Sequence, residues 1–165
     1  MTKAEFYDNS IRSIGNLLNW ISSVALILMM SLTCLDVAMR YFFSSPIPGT
    51  YDVVSLAGAV LVSFAMPYTM LRKGHVAVEI LVQNLSKRKQ LVIETLTHLL
   101  GIALFLVLVW QAMKLGAHMK RVGEVTPTLL VPFYPILYCM ALGFLMLCLA
   151  IAVNLVNLWA GRAKL

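Results

Sequence analysis

Residues 91–113 read LVIETLTHLLGIALFLVLVWQAM. A helix needs about 20 mostly apolar residues to cross the hydrocarbon of a bilayer, and this stretch supplies them. Its ionisable residues, Glu94 and His98, sit near its start. Three further stretches pass the same test: residues 14–43, 53–71 and 129–159. The first is apolar to about Leu35 and is expected to continue as helix to Phe43. The first and fourth exceed a perpendicular crossing, which implies tilt or helix protruding into water. The expected fold is an all-α integral membrane protein, one membrane domain over residues 1–165 with four transmembrane helices. No internal repeat or low-complexity tract interrupts it.

Composition agrees. Of 165 residues, 61% are hydrophobic and 12% charged, against roughly 25% charged in a soluble domain. That much apolar surface requires lipid as solvent. The net charge of +6 is no sign of nucleic acid, because the basic residues fall in short clusters between apolar spans. Cys34, Cys139 and Cys148 lie within or beside those spans with no C-x-x-C, and read as small buried hydrophobes. A cleaved signal peptide is not expected. Glu5 and Asp8 stand in the N-terminal segment, and the apolar stretch after it is too long.

Orientation follows from Lys and Arg in the connecting segments. Lys3, Arg12, Arg72, Lys73, Lys87, Arg88, Lys89, Arg162 and Lys164 fall on one side; Arg40, Lys114, Lys120 and Arg121 fall on the other. The richer side is expected to be cytoplasmic, with both termini on it. Trp20 and Trp159 then mark the inner interface and Trp110 the outer one. In the second loop, His75, Glu79 and Gln83 recur every four positions among apolar residues. Residues 76–85 are too few to span, so an amphipathic helix lying in the inner interface is expected. Phe6, Ile11 and Ile14 beside Lys3, Asp8 and Arg12 suggest a similar surface helix at the N-terminus.

Ionisable groups inside a membrane are costly, so each is a candidate for function. Asp36 and Arg40, four apart, share a helix face and are expected to pair as a helix-end anchor or partner contact. Glu94 and His98 repeat the spacing and read as an intramembrane polar pair; proton relay is the sharper alternative. Asn154 and Asn157 read as interhelical or interfacial polar groups. Ser55, Ala59 and Ser63, with Gly58 alongside, form a small-residue stripe suited to helix packing. Pro67 is expected to bend its helix. No P-loop, nucleophile elbow or H-E-x-x-H is present. Nor are the paired broken helices of an autonomous carrier. The chain reads as a helper subunit, not an enzyme. Two other readings stand beside it: a haem-binding redox anchor, which needs two axial ligands at matching depth, and a small proton-coupled exporter using Glu94 or Asp36.

The stretch Asp36-Val-Ala-Met-Arg40-Tyr41-Phe42-Phe43, then Pro46-Ile47-Pro48, Asp52, and Leu71-Arg72-Lys73-Gly74-His75-Val76-Ala77-Val78-Glu79 resembles one family. That family is the small membrane subunit of the tripartite ATP-independent periplasmic (TRAP) transporters. Glu124-x-Thr126-Pro127 is similar to its outer-loop signature. Gly49 stands where the family usually has Trp, Tyr51 where it often has an acid, and Glu79 replaces the usual Asp. The resemblance implies a scaffold beside a large multispan permease subunit in a bacterial inner membrane. A periplasmic solute-binding protein would deliver a sialic acid, dicarboxylate or sulfonate, and sodium would bind the large subunit, leaving this chain without cofactor or metal. It also implies that Asp36, Arg40 and Asp52 organise the outer end of the first two spans. Arg72, Lys73, His75 and Glu79 would hold the inner end, while Lys120, Arg121 and Glu124 are candidates for touching the binding protein.

Overall fold

The computed structural model describes residues 3–71 and 87–159. Four helices fill them: α1 Lys3–Phe43, α2 Thr50–Leu71, α3 Lys87–Val122 and α4 Tyr134–Trp159. Each contains a segment long and apolar enough to cross a membrane: Ser13–Phe43, Thr50–Leu71, Lys89–Val122 and Tyr134–Val156. Among the described residues there is no strand, only an isolated antiparallel bridge between Val125 and Pro132. Residues 76–85, where an interfacial helix is expected, lie outside the described residues, as do Arg72, Lys73, His75 and Glu79.

Several boundaries differ from those expected, three of them by the most residues. Residues 3–13 continue α1 without a break and do not form a separate surface helix. Helix α3 does not stop at Met113 but runs on to Val122. Hydropathy reads where lipid ends, whereas the backbone ladder continues into water as long as no residue breaks it. At the other end of that loop, residues 129–133 are apolar but not helical. Pro127 and Pro132 remove backbone donors there, and Pro135 suits the first turn of a helix, so α4 starts at Tyr134.

The helices pack in the order α1, α2, α4, α3. Helix α1 lies along α2, α2 along α4 and α4 along α3, while α1 meets α4 only slightly. The described helices thus form a row one helix thick, not a closed bundle. Helix α4 is central and the most buried, through Ala141, Met146, Leu147, Cys148, Ala150 and Ile151. A small core of Leu18, Phe64 and Met146, with Val60 packed against it, joins α1, α2 and α4. The outward faces remain apolar and open, with Leu26, Ile27 and Met30 on α1 and Leu100, Leu104 and Val107 on α3 all exposed.

Pro67 fixes how closely α2 and α4 approach. Lacking an N–H, it leaves the Ser63 carbonyl without its helical donor. That carbonyl lies against Gly143 of α4, where an added Cβ would come within 2.6 Å of the oxygen. Close Cα–H···O approaches of this kind suit helix interfaces in lipid. The Ser63 hydroxyl turns back to the carbonyls of Ala59 and Val60, at 2.9 and 3.1 Å. About two turns further along α2, Asn154 of α4 donates to the Met70 carbonyl at 3.1 Å, satisfying an end carbonyl of α2.

Gly143→Val is expected to separate α2 from α4 and cost about 1–3 kcal/mol, the usual range for overpacking. Gly101→Ala should be tolerated, because its Cβ would meet Ile151 at an ordinary 3.6 Å. Thermal unfolding of both variants in detergent distinguishes them; equal midpoints would contradict the close crossing.

Candidate functional site: a clasp at one end of the row

Helix α1 ends at Ser44, a non-glycine residue in the left-handed region at φ 50°. The chain turns through Pro46 and Pro48 and re-enters helix at Thr50. Asp36, about two turns before the end of α1, is buried and collects this turn. Its Oδ1 accepts the Ile47 N–H at 2.8 Å and lies 3.4 Å from the Thr50 hydroxyl, whose shorter bond is to the Ile47 carbonyl at 3.0 Å. Its Oδ2 accepts from Arg40 at 2.8 Å. The Arg40 side chain is largely exposed, so that pair alone contributes little to stability. The carboxylate's larger task is to satisfy backbone that the two prolines hold out of helix.

Asp52 stands in the first turn of α2, where a negative charge complements the helix dipole. It is only 1% exposed. Its Oδ2 does not turn to Asp36 or Arg40 but accepts two backbone N–H groups from the distant loop, Thr128 at 3.0 Å and Leu129 at 2.9 Å. These are charge-assisted bonds in a site closed to water, the strong kind. They join segments more than seventy positions apart in sequence.

The loop they hold is built around Thr126, which is also 1% exposed. Its N–H donates to the Val131 carbonyl at 2.9 Å, its hydroxyl accepts the Val131 N–H at 3.0 Å, and its carbonyl accepts the Leu130 N–H at 3.2 Å. Leu130 is thereby fixed in the left-handed region at φ 55°, a conformation that surroundings must over-determine. Gly49 completes the fit. Its φ of 87° favours glycine, and an added Cβ would lie 2.5 Å from Leu129 Cγ. A side chain at position 49 and Leu129 in its present place are mutually exclusive.

The structure therefore brings together Asp36, Arg40 and Asp52 with Thr126, Thr128 and Leu129. Sequence reasoning did not assign the last three to Asp52. The signal for Thr126 was present in Glu124-x-Thr126-Pro127, whereas Thr128 and Leu129 act through backbone N–H and leave no trace in residue type. Glu124 itself is exposed and contributes only its backbone, donating to Met119 O at 3.2 Å and accepting from Phe133 N–H at 3.4 Å. Lys120 turns to α4, with its Nζ 5.7 Å from the centre of the Tyr134 ring. The stripe of small residues does not act as one seam. Ser55 is exposed and bonds its own helix, Gly58 lies beside Met29 of α1, and Ser63 meets α4. At the far end of α3, His98 Nδ1 lies 2.7 Å from the backbone oxygen of Glu94, not its carboxylate. Among the described residues, Glu94 Oε2 is buried without a hydrogen-bond partner. Among the described residues no cluster of His, Cys, Asp and Glu is arranged to hold a metal ion.

A family model described as "Tripartite ATP-independent periplasmic transporters, DctQ component" matches residues 29–161, from the middle of α1 past the end of α4. The chain belongs to the DctQ family. Neither curated proteins nor solved structures give a match. As a DctQ component, the chain is the small permease component of a TRAP transporter and a multi-pass inner-membrane protein. Both halves of the DctQ clasp, the Asp36–Asp52 turn and the Thr126–Val131 loop, lie within the matched residues.

Asp52→Ala is expected to free the Thr128 and Leu129 amides and speed their hydrogen exchange by about tenfold or more. Asp52→Asn, which keeps an acceptor without the charge, should fall between. Asp36→Ala should loosen the Ile47 amide and leave those two protected. Unchanged exchange at 128 and 129 in Asp52→Ala would contradict the clasp.

Proposed function

We propose that this chain is the fixed scaffold subunit of a sodium-coupled importer of an organic acid of the sialic acid, dicarboxylate or sulfonate type. The observation that carries this reading is the row itself. A layer one helix thick encloses no path, and its outward faces are apolar. A large multispan subunit that binds solute and sodium would move against such a layer. The DctQ clasp supports the role, because it ties the two loops at one end into a single rigid rim. Rigid ends let a brace resist a moving neighbour.

A periplasmic solute-binding protein would approach that rim. Exposed Glu124 and the loop around Thr126 are the surface it would meet, with Lys120 near the end of α3 beside them. Sodium and solute would be held by the large subunit, so no cofactor or catalytic role is assigned to this chain. The unequal distribution of Lys and Arg supports termini in the cytoplasm.

Removing this chain is expected to abolish sodium-driven uptake in cells or proteoliposomes, while the binding protein still captures solute. Undiminished uptake by the large subunit alone would contradict the reading. For orientation, a fluorescent-protein fusion at the C-terminus should fluoresce and an alkaline phosphatase fusion there should be inactive. The reverse pattern would place the clasp on the cytoplasmic side.

A further inference from the structure

Helix α3 is 36 residues long, about 54 Å at 1.5 Å per residue, against about 30 Å of hydrocarbon. Its charges say where the bilayer lies. Between Glu94 and Lys114 no residue is charged apart from any proton on His98, and that interval is about 30 Å of helix. Lys114 therefore stands at the membrane boundary on the side of the clasp. Its Nζ lies 3.9 Å from the centre of the Trp110 ring, an interfacial aromatic carrying a cation.

Above that boundary the helix continues to Val122. Lys114, His118 and Arg121 are four and three residues apart, so they share one face. All three are exposed. At 100° per residue this face is opposite the one bearing Ala112 and Gly116; those two are buried, and Gly116 lies against Tyr138 of α4. Lys120 belongs to the other side, over Tyr134. Below the boundary the same back face is apolar and exposed at Leu100, Leu104 and Val107. The acid nearest to the basic trio on this helix and its loop is Glu124, past the helix end, so the local balance is positive.

We propose that this back face of α3 holds an anionic phospholipid of the adjacent leaflet. Lys114, His118 and Arg121 face its phosphate headgroup, and the Leu100–Leu104–Val107 stripe carries an acyl chain. A basic trio within two turns, seated at headgroup height directly over an apolar stripe, matches an amphiphile with a negative head. An acidic protein surface would match the trio but leave the stripe beneath it unexplained. The inference rests on the placement of α3 in the bilayer, not on its assembly with a transport subunit. Arg121 is thereby assigned to lipid and not to a soluble partner.

The test reads Trp110 fluorescence in the full chain carrying Trp20→Phe and Trp159→Phe, reconstituted in bilayer nanodiscs. Phosphatidylcholine is mixed with phosphatidylglycerol, and either one is brominated on its acyl chains. Brominated phosphatidylglycerol should quench Trp110 preferentially, by about fivefold in relative association for each full basic charge near the surface. Lys114→Gln/His118→Gln/Arg121→Gln should bring the preference to unity, while Lys114→Arg/Arg121→Lys should retain it. Three results would overturn the site: equal quenching by the two lipids, a preference that survives the triple change, or no quenching by either lipid, which would mean that protein covers this face.

Discussion

The buried Asp52 carboxylate, accepting the Thr128 and Leu129 N–H groups, is the constraint on which the rest depends. A charge removed from water persists only where it is paired or hydrogen-bonded, and here backbone from the opposite loop supplies two such bonds. The consequence runs both ways. The loop gains a fixed partner for amides that its prolines exclude from helix, and α2 gains a fixed neighbour at its start. Because α1 turns into α2 through Asp36 and Thr50, and the loop joins α3 to α4, one carboxylate connects both helical hairpins.

That connection matters because the row has little else to close it. In lipid no hydrophobic force drives helix against helix, so α1, α2, α4 and α3 are held by close packing and a few polar contacts. The Ser63–Gly143 approach and the Asn154 bond to Met70 secure the middle and far portion of the α2–α4 seam. The clasp secures the near end. A closed bundle would shield such contacts with more helices. A row exposes two faces and suits a subunit whose partner supplies the remaining surface.

Much of this was legible in the sequence, and the limits have physical causes. The four spans follow from length and apolarity, which are local properties. Their ends were less legible where solvent and backbone disagree. Helix α3 outruns its lipid by continuing past Met113, and residues 129–133 are apolar yet not helical because Pro127 precedes them and Pro132 stands among them. Asp36 with Arg40 was visible from spacing. Asp52 was visible as a carboxylate without a partner, since backbone N–H groups seventy-six positions away carry no residue signature. Gly49 looked like a mere departure from the family's usual Trp; the structure shows that Leu129 occupies the space a side chain there would need. Glu94 and His98 shared a face as expected, but helical geometry set the ring against a carbonyl oxygen, not a carboxylate.

A row clasped in this way is expected to act as a rigid brace that keeps its shape while its partner works. Spin labels at Phe43 and Val122, at the loop ends of α1 and α3, span the full width of the row. Electron–electron distance measurement on this pair in the assembled transporter tests the claim most directly. One narrow distance, unchanged by sodium and solute, is expected. A second population, or a shift on adding them, would contradict it.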